Sequence, residues 1–266
     1  MSLNFSIMTK IIITMLAGCL SATSAFAAHP LASDDAATLG KGAVQVELNG
    51  DILYDRESDS GTTTKNRGAQ IATAIGVGLT DKLDLTLGAA RPWGELDVNG
   101  ECLNNTGTMN IDLSMKWQIY EQQGFSVAVK PGLGYSYAVH SPVNEHVTSY
   151  GAALIFSKEF RALALHLDTG YAYCDYNLAE TRIVNRSSTW SFSLASTYEL
   201  IKDLKLATDL GFATNTDKTS NNMPAFALVG AIYSVNESID LSAGIKTGLT
   251  KPETDLAGTF GITYKF

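Results

Sequence analysis

The chain has 266 residues, with 19 Lys and Arg against 27 Asp and Glu, a net charge of −8. This acidic balance excludes a nucleic-acid binder, whose phosphate contacts need clustered bases. Charged residues are only 17% of the chain, below the ~25% of soluble domains, yet past the N-terminal segment there is no apolar run of about 18 residues that could span a bilayer as a helix.

The chain opens with an export pattern. Lys10 precedes the apolar run Ile11 to Gly18, and Ala25-Phe26-Ala27 offers small residues where a signal peptidase reads them. Residues 1–27 are expected to be a signal peptide, cleaved after Ala27. Leu16-Ala17-Gly18-Cys19 resembles a lipobox and leaves lipoprotein processing at Cys19 as the competing route. Residues 28–41 show no hydrophobic period. The expectation is a periplasmic lead-in, because termini are ordered only when tied down; a gate folded into the lumen is the alternative.

From Gly42 the pattern changes. Val44, Val46 and Leu48 alternate with Gln45, Glu47 and Asn49, the period-2 signature of a strand with one apolar and one wet face. It recurs to the end of the chain, predicting strands near 42–56, 67–79, 82–94, 108–121, 124–139, 147–158, 161–176, 187–200, 203–214, 223–234, 238–249 and 255–266. The fourth is clearest, with Met109, Ile111, Leu113, Met115, Trp117 and Ile119 on one face and Asn110, Asp112, Ser114, Lys116 and Gln118 on the other.

Connections alternate in length. Two-residue turns such as Thr80-Asp81 and Gln122-Gln123 follow even strands, and longer loops over 57–66, 94–107 and 177–186 follow odd ones. Short turns on one side and long loops on the other belong to an outer-membrane barrel, with the short turns periplasmic. A soluble sandwich does not explain this. In hydrocarbon each backbone N–H and C=O must be paired, so the sheet has to close on itself. The fold class is therefore all-β: a membrane-spanning, antiparallel, up-and-down barrel of twelve strands over residues 42–266, with both termini periplasmic. The last strand, where Phe260, Ile262, Tyr264 and Phe266 alternate with small or polar residues, is the seam. Its ending resembles the C-terminal recognition signal of bacterial outer-membrane proteins. The resemblance implies barrel-assembly machinery as a partner, with Tyr264 and Phe266 as the signal.

Strand parity places Glu47, Asp51, Asp84, Asp112, Lys116, Lys130, His166, Asp168, Lys205, Asp209, Asp240 and Lys246 on the inner face. Two readings stand: charges that pair to fill a narrow lumen, or a polar, mildly cation-tolerant conduit whose selectivity they set. The small inner residues Ala72, Ala74, Gly76, Gly78, Gly132, Gly134, Gly244 and Gly248 leave room, which favours a pore over a packed plug.

Signs of chemistry are thin. His140, Ser141, Glu145, His146 and Ser149 lie close in sequence, but a nucleophile, base and orienting group must converge in space. The Ser spacing after His that outer-membrane phospholipases carry is absent, the matching positions being Tyr150 and Phe156. No enzyme activity is expected. His166 and Asp168 are too few for a metal site and read as a hydrogen-bonded lumen pair; neither metal nor cofactor is expected. Cys102 and Cys174 could bridge and draw a loop inward as a constriction, in an oxidising compartment.

The stretch His29-Pro30-Leu31, Asp34-Asp35, Gly40-Lys41-Gly42, Gln45 and Glu47 resembles the opening of an outer-membrane "transporter" family named for the meta-pathway of phenol degradation. Ala36-Ala37 and Leu39 depart from its pattern. The resemblance implies an outer-membrane channel for aromatic or other small hydrophobic compounds. The expected function is passive passage of small solutes through the outer membrane, with outer-membrane lipid around the barrel. The alternatives are a non-conducting structural or adhesive barrel and, behind it, an outer-leaflet lipid enzyme.

Overall fold

The computed structural model describes residues 29–59, 61–105, 107–139 and 145–266. The expected signal peptide, Cys19, His140 and Ser141 lie outside them. Period-2 alternation delivers thirteen strands: β1 (Val44–Asp59), β2 (Thr62–Thr80), β3 (Leu83–Val98), β4 (Glu101–Asn105), β5 (Thr108–Gln122), β6 (Phe125–Ala138), β7 (His146–Phe160), β8 (Leu163–Tyr176), β9 (Ser188–Ile201), β10 (Leu204–Ala213), β11 (Ala225–Asn236), β12 (Ile239–Gly248) and β13 (Leu256–Lys265). Twelve form a closed antiparallel barrel. The thirteenth, β4, is a short ribbon that, among the described residues, pairs only with the outer end of β3, Gly94 to Val98.

Closure is made by the last strand. β13 pairs with β12 on one side and with β1 on the other, where Val46 faces Tyr264 and Leu48 faces Ile262. The Phe266 N–H donates to the Val44 carbonyl at 2.9 Å, continuing the seam beyond the last strand residue. No sheet edge is left in the barrel wall, as a hydrocarbon surrounding demands.

The short turns are tight. Gln123, Arg161 and Asp203 take positive φ there, between 48° and 68°. The long-loop end departs from expectation because strand pairing continues past the barrel rim. β1 and β2 extend as one hairpin to the pair Asp59 and Thr62, and the 94–107 loop folds back as β4. The 177–186 loop contains a helix, α1 (Ala179–Val184). Arg186 ties that loop to its neighbour by donating to the carbonyls of Asn215 (2.9 Å), Asp217 and Ser220 (3.0 Å).

Polarity is inverted relative to a water-soluble domain. Large apolar side chains such as Leu48, Ile52, Leu133, Val229 and Ile245 point outwards and are exposed; hydrocarbon takes the place of a core. Aromatic pairs mark both rims, Tyr264 with Phe266 and Tyr120 with Phe125 near the short turns, and Tyr171 with Trp190 and Phe192 with Phe212 nearer the long loops. Buried polar residues line the inside, among them Glu47, Asp84, Asp112, Lys130 and Asp209.

Candidate functional site

The lumen is occupied by the chain's own N-terminal segment. The structure corrects the expectation of a plain periplasmic lead-in, because residues 29–41 enter from the short-turn end and run around the inner wall. The entry is a glycine hinge. Gly40 and Gly42 have φ of 87° and 83°, a region that side chains with a Cβ avoid. The Gly42 N–H donates to the Gly78 carbonyl at 2.8 Å and the Gly78 N–H to the Ala43 carbonyl at 2.9 Å.

An irregular segment inside a barrel has no ladder partners, so its N–H groups need other acceptors. The inner wall supplies them. The Leu39 N–H donates to Asp84 (2.9 Å), the Ala36 N–H to the Ser157 hydroxyl (2.9 Å), and the Asp34 N–H to Asp168 (2.7 Å). The N–H groups of Ala32 and Ser33 both donate to one oxygen of Asp209 at 2.8 Å, and the Ser33 hydroxyl donates to the other at 2.9 Å. The Gln118 amide returns a bond to the Ala36 carbonyl at 3.3 Å. Each such bond contributes about 1 kcal/mol or more, so the three carboxyl groups together anchor the segment.

One side chain of the segment is locked by opposite charge. Asp34 is 4% exposed. Lys116 Nζ lies 3.1 Å from its Oδ1 and Lys130 Nζ 2.6 Å from its Oδ2. Burial pushes the Asp34 pKa upward, but Lys116 and Lys130 outweigh it and hold the carboxyl below its ordinary value of 3.8. At the far end, His29 reaches Ser242 Oγ (2.6 Å) and Thr259 Oγ1 (2.5 Å) through its two ring nitrogens. Burial lowers its pKa below 6.5 against the opposing pull of Asp51, so the docked ring is neutral near pH 7.

Small residues make the path. Leu31 packs with Ala195, Ala207 and Leu228, and Ala36 with Ala128, Ala153 and Ile155. A Cβ at Gly76 would stand 3.1 Å from Leu39, one at Gly244 3.1 Å from Pro30, and one at Gly78 1.8 Å from the Gly40 carbonyl oxygen. The small inner residues Gly76, Gly78 and Gly244 therefore accommodate the inserted segment. The expectation that they leave an open pore is corrected on this point.

The remaining expected inner residues differ in what holds them, and Asp112 is buried with its Oδ2 unpaired among the described residues. Glu47 is buried and accepts from the Gln45 amide at 2.5 Å, and Asp51 from Gln70 at 3.2 Å. Asp240 pairs with Lys265 at 2.5 Å near the short turns, and Lys246 with Glu253 at 3.0 Å near the long loops. Lys205 shares the parity of the buried Ala207 and Asp209 but is itself exposed beside the turn at Asp203. His166 and Asp168 are not bonded as a pair: His166 Nδ1 meets Ser157 Oγ at 2.9 Å while Asp168 takes the Asp34 N–H. Cys102, which is exposed, and Cys174, which is buried, are not joined by a disulfide. Glu145 accepts from Thr181 of α1 at 2.8 Å, a contact that directs it to the loop. Ser157, Ser242, Thr259 and Gln118 are contacts that strand parity alone does not single out; their signal is the matching set of small and polar residues at 29–41.

The family described as "Putative MetA-pathway of phenol degradation" has a model that matches residues 30–266. The chain belongs to that family. The similarity legible at the N-terminus therefore extends over the whole barrel, and the inserted segment lies almost wholly within the match. No curated protein sequence matches the chain. Among solved structures, the COG4313 outer membrane channel from Pseudomonas putida F1 has 13% identity and a TM-score of 0.63, with 87% of this chain and 98% of that chain covered. The translocator domain of the autotransporter NalP from Neisseria meningitidis has 13% identity and a TM-score of 0.57, with 98% of each chain covered. The NanC porin has 10% identity and a TM-score of 0.55, with 83% of this chain and 100% of that chain covered. At these identities the likeness is one of fold. The protein is an outer-membrane β-barrel.

Proposed function

We propose that this protein is an outer-membrane channel for small solutes and that residues 29–41 are its gate. The observation that carries the reading is the mode of docking. The segment is an irregular, glycine-hinged stretch bound mainly by polar contacts to a polar wall, with small apolar clusters around Leu31 and Ala36. It has no strand pairing to the barrel beyond the hinge, so it can leave without breaking a ladder. Family membership and the channel and porin folds among similar structures support a conducting role. The family description supports small hydrophobic or aromatic compounds as solutes. On this reading Glu47, Asp51, Asp84, Asp112, Asp168 and Asp209 line the pore that opens, and Tyr264 and Phe266 are read by the assembly machinery.

The filled lumen also favours the second reading, a structural barrel that never conducts. Removing residues 29–39 while keeping the hinge, and recording planar-bilayer conductance beside a liposome-swelling panel of neutral aromatic and polar solutes, separates the two. The gate reading expects rare openings in the full chain and steady conductance in the shortened one. Absence of conductance and swelling in both proteins would establish the structural barrel.

A further inference from the structure

The seat that holds Asp34 has the features of a ligand site. Two ammonium groups from neighbouring strands converge on one carboxylate, each taking one oxygen. Lys116 also donates to the Asp35 carbonyl at 3.2 Å. Toward the long loops, the inner face of β5 continues as Ser114, Asp112 and Asn110, each less than a tenth exposed. Ser114 Oγ, Asp112 Oδ2 and both amide atoms of Asn110 have no hydrogen-bond partner among the described residues. Beside them the wall is bare: Gly132 and Gly134 of β6 pair with Ser114 and Asp112, and Gly151 of β7 pairs with Gly132. A cavity of about 20 Å³ lined by Ser114, Lys130, Gly132, Gly134, Ser149 and Gly151 opens on this stretch of wall and reaches Lys130.

The size of this cavity decides what can enter it. About 20 Å³ holds roughly one water, so an organic solute does not fit in it while the segment is docked. A solute reaches the lysines only by taking the place of Asp34. Unsatisfied polar side chains in a buried wall are costly, and these lie on the approach from the long-loop mouth to the two ammonium groups. We propose that Lys116 and Lys130 form a binding site for the carboxylate of a small organic anion, that Asp34 occupies it while the segment is docked, and that exchange of one carboxylate for the other releases the segment.

The chemistry selects the ligand class. Exchange of one carboxylate for another leaves the charge at the pair unchanged, so neither lysine is stranded in a buried wall. The seat takes one planar carboxylate, with one oxygen at Lys116 and the other at Lys130. A small monocarboxylate reproduces that geometry, and a tetrahedral phosphate does not. The glycine wall beside β5 leaves space for the body of the ligand once Asp34 has gone. An uncharged amide of the same shape offers the lysines no charge and does not compete.

This inference rests on the gate reading, and the test separates the two. In a Cys102→Ser background, a nitroxide is attached through Ala37→Cys, since Ala37 is exposed and Cys174 fully buried. The protein is reconstituted in liposomes, and label mobility is followed against propionate, propionamide, phosphate and chloride at matched ionic strength, because salt alone screens ion pairs. Propionate is expected to raise the mobile fraction about tenfold, growing with its excess over Kd, and the others are expected to leave it unchanged. Asp34→Asn, in which the seat is vacant, is expected to bind propionate more tightly than the wild type by calorimetry, and Asp34→Asn with Lys130→Gln to bind none. If Asp34→Asn frees the label but binds no propionate, and propionate leaves the wild-type label fixed, the carboxylate site is refuted and the gate stands. If the label is as mobile in the untreated wild type as in Asp34→Asn, the gate reading itself fails.

Discussion

Replacing Asp34 by Asn tests the lock on the inserted segment most directly. The side chain keeps its shape and loses its charge. Lys116 and Lys130, with side chains 15% and 5% exposed, are left without their shared counter-ion. Breaking a buried ion pair from one side costs about 3–5 kcal/mol. Here the stranded lysines retain partial relief, since Asp35 lies 3.8 Å from Lys116 and the lumen admits water. A loss of about 2–4 kcal/mol in docking free energy is therefore expected, a factor of about 30 to 700 in the docked-to-undocked ratio at 1.4 kcal/mol per tenfold. The assay is single-channel recording in planar bilayers, with the open fraction compared between wild type, Asp34→Asn and a chain lacking residues 29–39. The shortened chain sets the fully open level, and the Asn variant should rise towards it by the stated factor or to saturation. An open fraction within about threefold of wild type, a difference of ~0.7 kcal/mol, in a variant whose shortened counterpart conducts freely, would refute the view that this ion pair holds the gate.

Acidity should loosen the segment from its His29 end first. The docked imidazole has a depressed pKa, so its contribution to docking is fully present above 6.5 and falls as the pH drops below that value. Asp34 is depressed from 3.8, so its contribution persists to below that pH. Labels near residue 31 are expected to mobilise as the pH falls below 6.5 while labels at residue 37 stay fixed; simultaneous release would contradict the assignment. Gly78→Ala would put a methyl group 1.8 Å from the Gly40 carbonyl oxygen, displacing the hinge. It should raise the open fraction while the barrel keeps its resistance to detergent unfolding, and a closed channel in that variant would count against the hinge. Intact-mass measurement after maleimide treatment of the native barrel should find one adduct, on the exposed Cys102, and a second only after unfolding exposes Cys174; two blocked thiols would reveal a bridge. Removal of Phe266 deletes one rim aromatic and the N–H bond to Val44. It should lower the amount of heat-modifiable barrel in outer-membrane fractions, with little change in the conductance of refolded protein. Normal assembly would remove its role as a signal.

The barrel was legible because a strand in a membrane repeats every two residues, and hydrocarbon on one side forces the repeat to be strict. Met109 to Ile119 and Trp190 to Tyr198 show it without help from any other part of the chain. Strand ends at the long-loop side were less legible, because residues 57–59 with 62–64 and 94–98 with 101–105 are held by hairpin pairing beyond the barrel rim, where no alternation is required. The inserted segment was not legible as such. It has no period, and its partners are far away in sequence: Leu39 bonds to Asp84 across 45 positions and His29 to Thr259 across 230. A non-repeating contact of that range leaves only compositional traces. Those traces were present, in a Gly-Lys-Gly hinge, a pair of acids and a set of inward glycines. Each also has an ordinary explanation in an open pore.

The acidic inner face acquires a different meaning once the segment is in place. An excess of carboxylates in a lumen reads naturally as a cation conduit, but Asp84, Asp168 and Asp209 are each bound to backbone N–H groups of residues 32–39. N–H dipoles and carboxylates are complementary, and a segment without ladder partners needs such acceptors wherever it turns. The same residues can serve both states. With the segment docked they are acceptors for peptide N–H groups. On the proposed gate reading, release turns them to water and leaves Lys116 and Lys130 as a paired positive patch among them. That reading makes closure and selectivity properties of one set of side chains, and it expects substitutions at Asp84, Asp168 or Asp209 to change how often the pore opens as well as what crosses it.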